Sequence, residues 1–126
     1  MELDEFIVDS SFLVAFYRDI DSQHQEARRI ASDLVGKTII LHPYVIQETA
    51  TVLTYKCGTD IAYSFLADVA VAERIIIPPP DIQTDIKMFI ALKRKISFTD
   101  ASLIALAKQR GAQIITFDRE ILSLFK

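Results

Sequence analysis

Four short apolar runs, rich in β-branched side chains, punctuate the chain: Phe6-Ile7-Val8, Thr38-Ile39-Ile40-Leu41, Arg74-Ile75-Ile76-Ile77 and Ile114-Ile115-Thr116-Phe117. Continuous rather than alternating hydrophobicity marks strands covered on both faces. The segments between them read as helices. Phe12 to Tyr17 predicts a turn or two, and Asp21 or Ser22 caps a helix from Gln23 to Val35 that Gly36 closes. Pro43 suits the first turn of a helix over Tyr44–Lys56, stopped by Gly58. Thr59 or Asp60 opens the next, through Glu73, and Asp81 opens one reaching Lys95. Thr99 is expected to cap a helix over Asp100–Arg110, with Lys108 and Arg110 at its negative end and Gly111 beyond. A short helix over Arg119–Leu124 finishes the chain. Buried strands alternating with helices predict a parallel sheet in an α/β fold, with helices on both faces.

The helix after Thr59 departs from ordinary amphipathicity. Ile61 to Ala72 is apolar almost all the way round, which predicts burial on more than one side. Such a helix either wedges deep in the monomer or gives part of its surface to a dimer interface.

Composition narrows the class without changing this picture. At 126 residues, 51% apolar and 25% charged, the chain has the size and balance of one soluble domain. A single cysteine, Cys57, permits no internal disulfide, and no Cys/His spacing suggests zinc. The acidic start, Met1-Glu2-Leu3-Asp4-Glu5, is unlike the basic start of a signal peptide, and the apolar runs are too short to span a bilayer. A cytoplasmic setting is the expectation. The net charge of −3 argues against a simple electrostatic nucleic-acid binder. Setting four of the 17 acidic residues aside for cations, however, leaves the rest nearly balanced by the 14 basic ones.

The chemistry gathers where strands end. The first strand runs into Asp9-Ser10-Ser11, and the fourth into Asp118. In open α/β sheets, ligands bind outside the carboxyl ends of the strands. Glu48 lies at the border of the apolar stripe of its helix, and Asp100 lies in a helical first turn. Each acid has an ordinary structural role available: a helix cap for Asp9, charge–dipole placement for Asp100 and Asp118, a solvated edge for Glu48. Four together are a coincidence that helix chemistry does not require. Clustered carboxylates repel unless a cation relieves them, and oxygen donors without organised His or Cys point to Mg²⁺ or Mn²⁺. Ser11 and Thr116 are candidates to fix the carboxylate rotamers. His24 and His42 lack a ligand spacing and are expected at the surface or a strand end.

Together Val8-Asp9-Ser10-Ser11, Glu48, Ser97-Phe98-Thr99-Asp100-Ala101 and Thr116-Phe117-Asp118-Arg119 resemble the PIN-domain nucleases, in particular the VapC-type toxins of toxin–antitoxin pairs. The resemblance spans residues 1–126 as one domain. It implies a parallel sheet in the order 3-2-1-4, with a fifth strand at the edge. Since the chain stops at Lys126, soon after its last helix, that fifth strand is expected to be short or absent. The resemblance further implies a metal-dependent ribonuclease with Asp9, Glu48, Asp100 and Asp118 as its acidic quartet. Asp9 and Asp100 would be the principal ligands, and Glu48 and Asp118 would bind a second ion or position water. It also implies a homodimer and an antitoxin partner lying across the acidic cleft. Lys93, Arg94, Lys95 and Arg119 are candidates for RNA phosphate contacts.

Two other readings compete. A receiver-like phosphoacceptor domain also gathers acids around Mg²⁺, but it would want paired acids after the first strand and a lysine after the last. Here Asp9 is followed by two serines, and the last strand by Asp118. A PIN fold kept only as a binding scaffold would be expected to lose its acids.

Overall fold

Isoleucines set the sheet. In a computed structural model that describes residues 5–124, Ile7 pairs in register with Ile40 on one side and Ile114 on the other, and Ile40 with Ile76. The strands are β1 (Glu5–Val8), β2 (Thr38–Ile40), β3 (Ile75–Ile76) and β4 (Gln113–Ile115), all parallel, in the order β3-β2-β1-β4. The place of any fifth strand, beyond Leu124, lies outside the described residues.

The helices are α1 (Ser10–Tyr17), α2 (His24–Asp33), α3 (Pro43–Cys57), α4 (Thr59–Val71), α5 (Ile82–Leu92), α6 (Phe98–Arg110) and α7 (Arg119–Leu124). From β1 to β3 each step moves one strand in the same direction, and the connection to β4 then crosses back. Right-handed crossovers therefore place α1 to α4 on one face and α5 and α6 on the other. The pairings of α3 with α4, α1 with α2 and α3, and α5 with α6 agree. Ile7, Val8, Ile40, Leu41 and Ile114 from the strand segments meet Phe12, Val45, Leu103, Ile104 and Ile121 in the main core. Leu53, Ala62 and Phe65 form a second cluster between α3 and α4.

Several element ends differ from expectation for local reasons. β4 ends at Ile115 because the Thr116 hydroxyl accepts the Asp118 N–H and bends the chain out of the sheet. α2 stops at Asp33 rather than Val35, and Asp21 caps an Asx turn at Gln23 instead of the helix itself. α5 ends at Leu92 rather than Lys95, because Lys93 turns left-handed, with φ of 51°. α6 begins at Phe98, and its cap is Ser97 rather than Thr99. The Ser97 Oγ accepts the Asp100 N–H at 3.0 Å, with the i, i+3 spacing of a capping box. α4 is not wedged deep in the monomer, the first of its two expected placements. Ala62 and Phe65 are buried, while Tyr63, Leu66 and Val71 remain exposed. His42 does sit at a strand end but is buried, its Nδ1 accepting the Tyr44 N–H at the start of α3.

Candidate active site

The strand order reverses between β1 and β4, and a crevice at such a switch point is the usual ligand site of an open α/β sheet. Asp9 follows β1 and Asp118 lies just past β4. Asp9, Glu48, Asp100 and Asp118 all line one cleft of about 550 Å³ at this rim. Positions 9, 48, 100 and 118 are far apart in sequence, and four separate elements bring them here.

Asp9 is buried, at 3% exposure, and it is the most tightly held of the four. It occupies the N-cap position of α1, but its side chain does no capping. Its Oδ2 instead accepts hydrogen bonds from Ser11 Oγ at 2.9 Å and Thr116 Oγ1 at 2.7 Å. Each hydroxyl has one proton, and each spends it on Asp9. The 3.2 Å approach of the two hydroxyl oxygens is therefore contact without a shared proton. Both hydroxyls accept in turn from the backbone of the β4–α7 turn, Ser11 from the Phe117 N–H at 3.0 Å and Thr116 from the Asp118 N–H at 2.9 Å. Two parallel relays thus fix one oxygen of Asp9, and Oδ1 accepts from neither.

The other acids are less constrained. Asp118 caps α7, its Oδ1 accepting the Glu120 N–H at 2.8 Å. Asp100 sits on the first turn of α6 opposite Asp9 and Asp118. Burial, then the charges of Asp9 and Asp118, push its carboxyl up to about 6 despite hydrogen bonds from Ser97. Glu48 projects from α3. Burial and the neighbouring Asp9 raise its affinity for a proton, and a hydrogen bond from Ser10 opposes them. The charge of Asp9 thus acts on both Glu48 and Asp100, and that of Asp118 on Asp100.

The remaining sequence candidates lie elsewhere. Lys93, Arg94, Lys95 and Arg119 do not line the cleft; all four are exposed, and Arg94 is paired with Glu120 at 3.1 Å. Among the described lining residues the basic side chain is Lys56, which sequence reasoning passed over. Its signal was present: Glu48, Val52 and Lys56 follow one another at i, i+4 and i+8 along α3, and all three line the cleft. Ser10 and Ser97 were likewise missed as partners of Glu48 and Asp100.

The family model described as PIN domain matches residues 6–124. The fold resembles VapC20 of Mycobacterium tuberculosis, a toxin that cleaves the sarcin-ricin loop, with a TM-score of 0.84 and 22% identity over 94% of both chains. It also resembles PAE2754 from Pyrobaculum aerophilum, with a TM-score of 0.63 and 19% identity over 97% of this chain and 85% of that one. No curated protein matches the sequence. The strand order also sets the receiver-like reading aside, since flavodoxin-like sheets place β1 beside β3, whereas here β1 lies between β2 and β4. Matched along nearly its whole length, the chain belongs to the PIN domain family.

Proposed function

We propose that this protein is a metal-dependent endoribonuclease, the toxin of a toxin–antitoxin pair, hydrolysing RNA phosphodiester bonds at the cleft of Asp9, Glu48, Asp100 and Asp118. The observation that carries this reading is the convergence of the four acids, from four separate elements, on one cleft; there burial, then the charges of Asp9 and Asp118, push the Asp100 carboxyl up. The ribonuclease activity of the structurally similar VapC20 supports the choice of substrate.

A hard divalent cation fits these residues. The donors are carboxylate oxygens, which suit Mg²⁺ or Mn²⁺. Among the described residues no three His, Cys, Asp or Glu side chains are gathered closely enough to enclose an ion. Mg²⁺ needs no such cage, because it keeps several waters and takes one or two carboxylates plus substrate phosphate. Asp9 and Asp100 would be the main ligands, with Glu48 and Asp118 holding a second ion or orienting water. The bound ion would supply an activated water and neutralise charge on the phosphoryl oxygens. Ser11 and Thr116 keep the Asp9 carboxylate from rotating, and Lys56 offers the cleft a cation for a substrate phosphate.

Partner expectations follow the same reading. An antitoxin tail bearing Arg or Lys would be drawn to the acids, and a homodimer would cover part of the exposed apolar surface. Among the described residues no helix is long and apolar enough to cross a membrane, consistent with a cytoplasmic setting for such a pair.

The test incubates purified protein with labelled structured RNAs and Mg²⁺ or Mn²⁺, with and without EDTA, beside Asp9→Ala. Cleavage should stop in EDTA, and the variant should lose about 100-fold or more. Equal cleavage by Asp9→Ala, or cleavage indifferent to EDTA, would eliminate this function. No cleavage at all, with RNA binding retained, would favour a PIN scaffold.

A further inference from the structure

Beside the acidic cleft lies a second hollow of about 490 Å³ that none of the acid chemistry requires. Glu48, Val52 and Ser97 form the wall common to both. On its far side stand Tyr44 and Phe98, with ring centroids 6.2 Å apart and planes inclined at 43°. Both rings are braced from behind. Tyr44 packs on buried His42 at 4.3 Å, and Phe98 on Phe89 at 5.7 Å. Gln47 and Thr51 complete the rim from α3. Tyr44, Gln47, Glu48 and Thr51 follow at i, i+3, i+4 and i+7, so one stripe of the helix serves the hollow.

The lining chemistry selects the occupant. No Lys or Arg lines the hollow among the described residues, and Glu48 at the shared wall repels anions, so it is unsuited to a phosphate. Rigid aromatic faces with an amide and a hydroxyl beside them suit a flat, neutral heterocycle with polar edges. Unstacked bases are held in this way, by stacking on aromatic side chains and hydrogen bonds to their edges. We propose that this hollow binds an unpaired nucleobase of the substrate strand next to the scissile phosphate, with Tyr44 and Phe98 as the stacking surface and Gln47 reading the base edge. The inference rests on the nuclease reading and deepens it, giving the enzyme a sequence preference at one position beside the cut.

The test uses short labelled single-stranded RNAs that differ at one nucleotide beside the cleavage site: each of the common bases, or an abasic residue. Binding by fluorescence anisotropy and cleavage rates are measured for wild type and Gln47→Ala. Wild type should favour one base over the abasic strand by about tenfold or more, and Gln47→Ala should bring the preference among bases towards one. Equal binding and cleavage of intact and abasic strands by wild type would overturn the proposal. So would a Gln47→Ala variant that keeps the full preference. If nothing is cleaved but the abasic strand still binds more weakly, and Gln47→Ala abolishes the difference, the base site stands and the nuclease assignment falls. If nothing is cleaved and no strand is preferred, both fall.

Discussion

Asp100 is the residue through which the site's electrostatics reach folding. Its carboxyl titrates near 6 in the fold against an ordinary value of 3.8. A raised folded pKa means that the unfolded chain releases the proton more readily. The contribution of Asp100 to stability is therefore fully present below about pH 3.8 and is lost as pH rises through about 6. Asp100→Asn should relieve this loss. In EDTA near neutral pH the variant should be more stable than wild type by on the order of 1 kcal/mol, after discounting for solvent around a half-buried group. Denaturant midpoints near pH 4 and near pH 7.5 would check it, and the gap should close at the acidic end. A gap of equal size at both would refute the assignment. The relay to Asp9 makes a second point testable. Thr116→Val keeps the shape but removes the donor to Asp9 and the acceptor for the Asp118 N–H. It should cost about 1–3 kcal/mol of stability and lower cleavage, with an added divalent cation stabilising the variant less than wild type. Strand ends made Asp9 and Asp118 legible from sequence, and Ser11 and Thr116 followed from their nearness in the chain. Ser10 was not legible as a partner of Glu48, because that contact depends on rotamers and on how α3 approaches the end of β1.

Among the elements, helix ends account for most of the differences between expectation and structure. Ala91-Leu92-Lys93-Arg94-Lys95 is a run of good helix formers, yet Lys93 adopts φ of 51° and closes α5 after Leu92. A left-handed residue at that position is easiest for glycine. Lys93→Gly should therefore stabilise the fold by about 0.5–1 kcal/mol without altering cleavage; a loss of activity would instead bring Lys93 back as an RNA contact. The start of α6 shows a different limit. Ser97, Thr99 and Asp100 are all capping residue types, and composition alone does not choose between the serine and the threonine. The Ser97–Asp100 spacing was the available cue. The hollow beside Tyr44 was illegible for a further reason. Gln47 and Thr51 read as a solvated helix face, and only the tertiary approach of Phe98 from α6 turns that face into a cavity wall.

For the molecule as a whole, a parallel sheet follows from patterning that the sequence displays openly: buried strands, interrupting helices and no hairpin signals. The order β3-β2-β1-β4 was legible only through the resemblance to the PIN-domain nucleases. Quaternary structure is less legible, because groups of exposed apolar side chains stand on more than one helix. α4 presents Tyr63, Leu66 and Val71, and α5 presents Ile82, Ile86, Phe89 and Ile90. Surfaces of this kind usually find a partner. The expected outcome by light scattering or sedimentation is a dimer, with Tyr63→Glu and Ile90→Glu introduced separately to find which helix mediates it. A monomer from one variant assigns the face, whereas a monomeric wild type at micromolar concentration would remove the dimer. One detail of the rim carries a consequence for the end of the chain. The carboxyl that holds the first amides of α7 in place is also one of the four facing the cleft. Whatever occupies that cleft thus shares Asp118 with the terminal helix. The exchange rates of the Glu120 and Ile121 amide protons are consequently a native gauge of occupancy, readable without substrate and without altering a single residue.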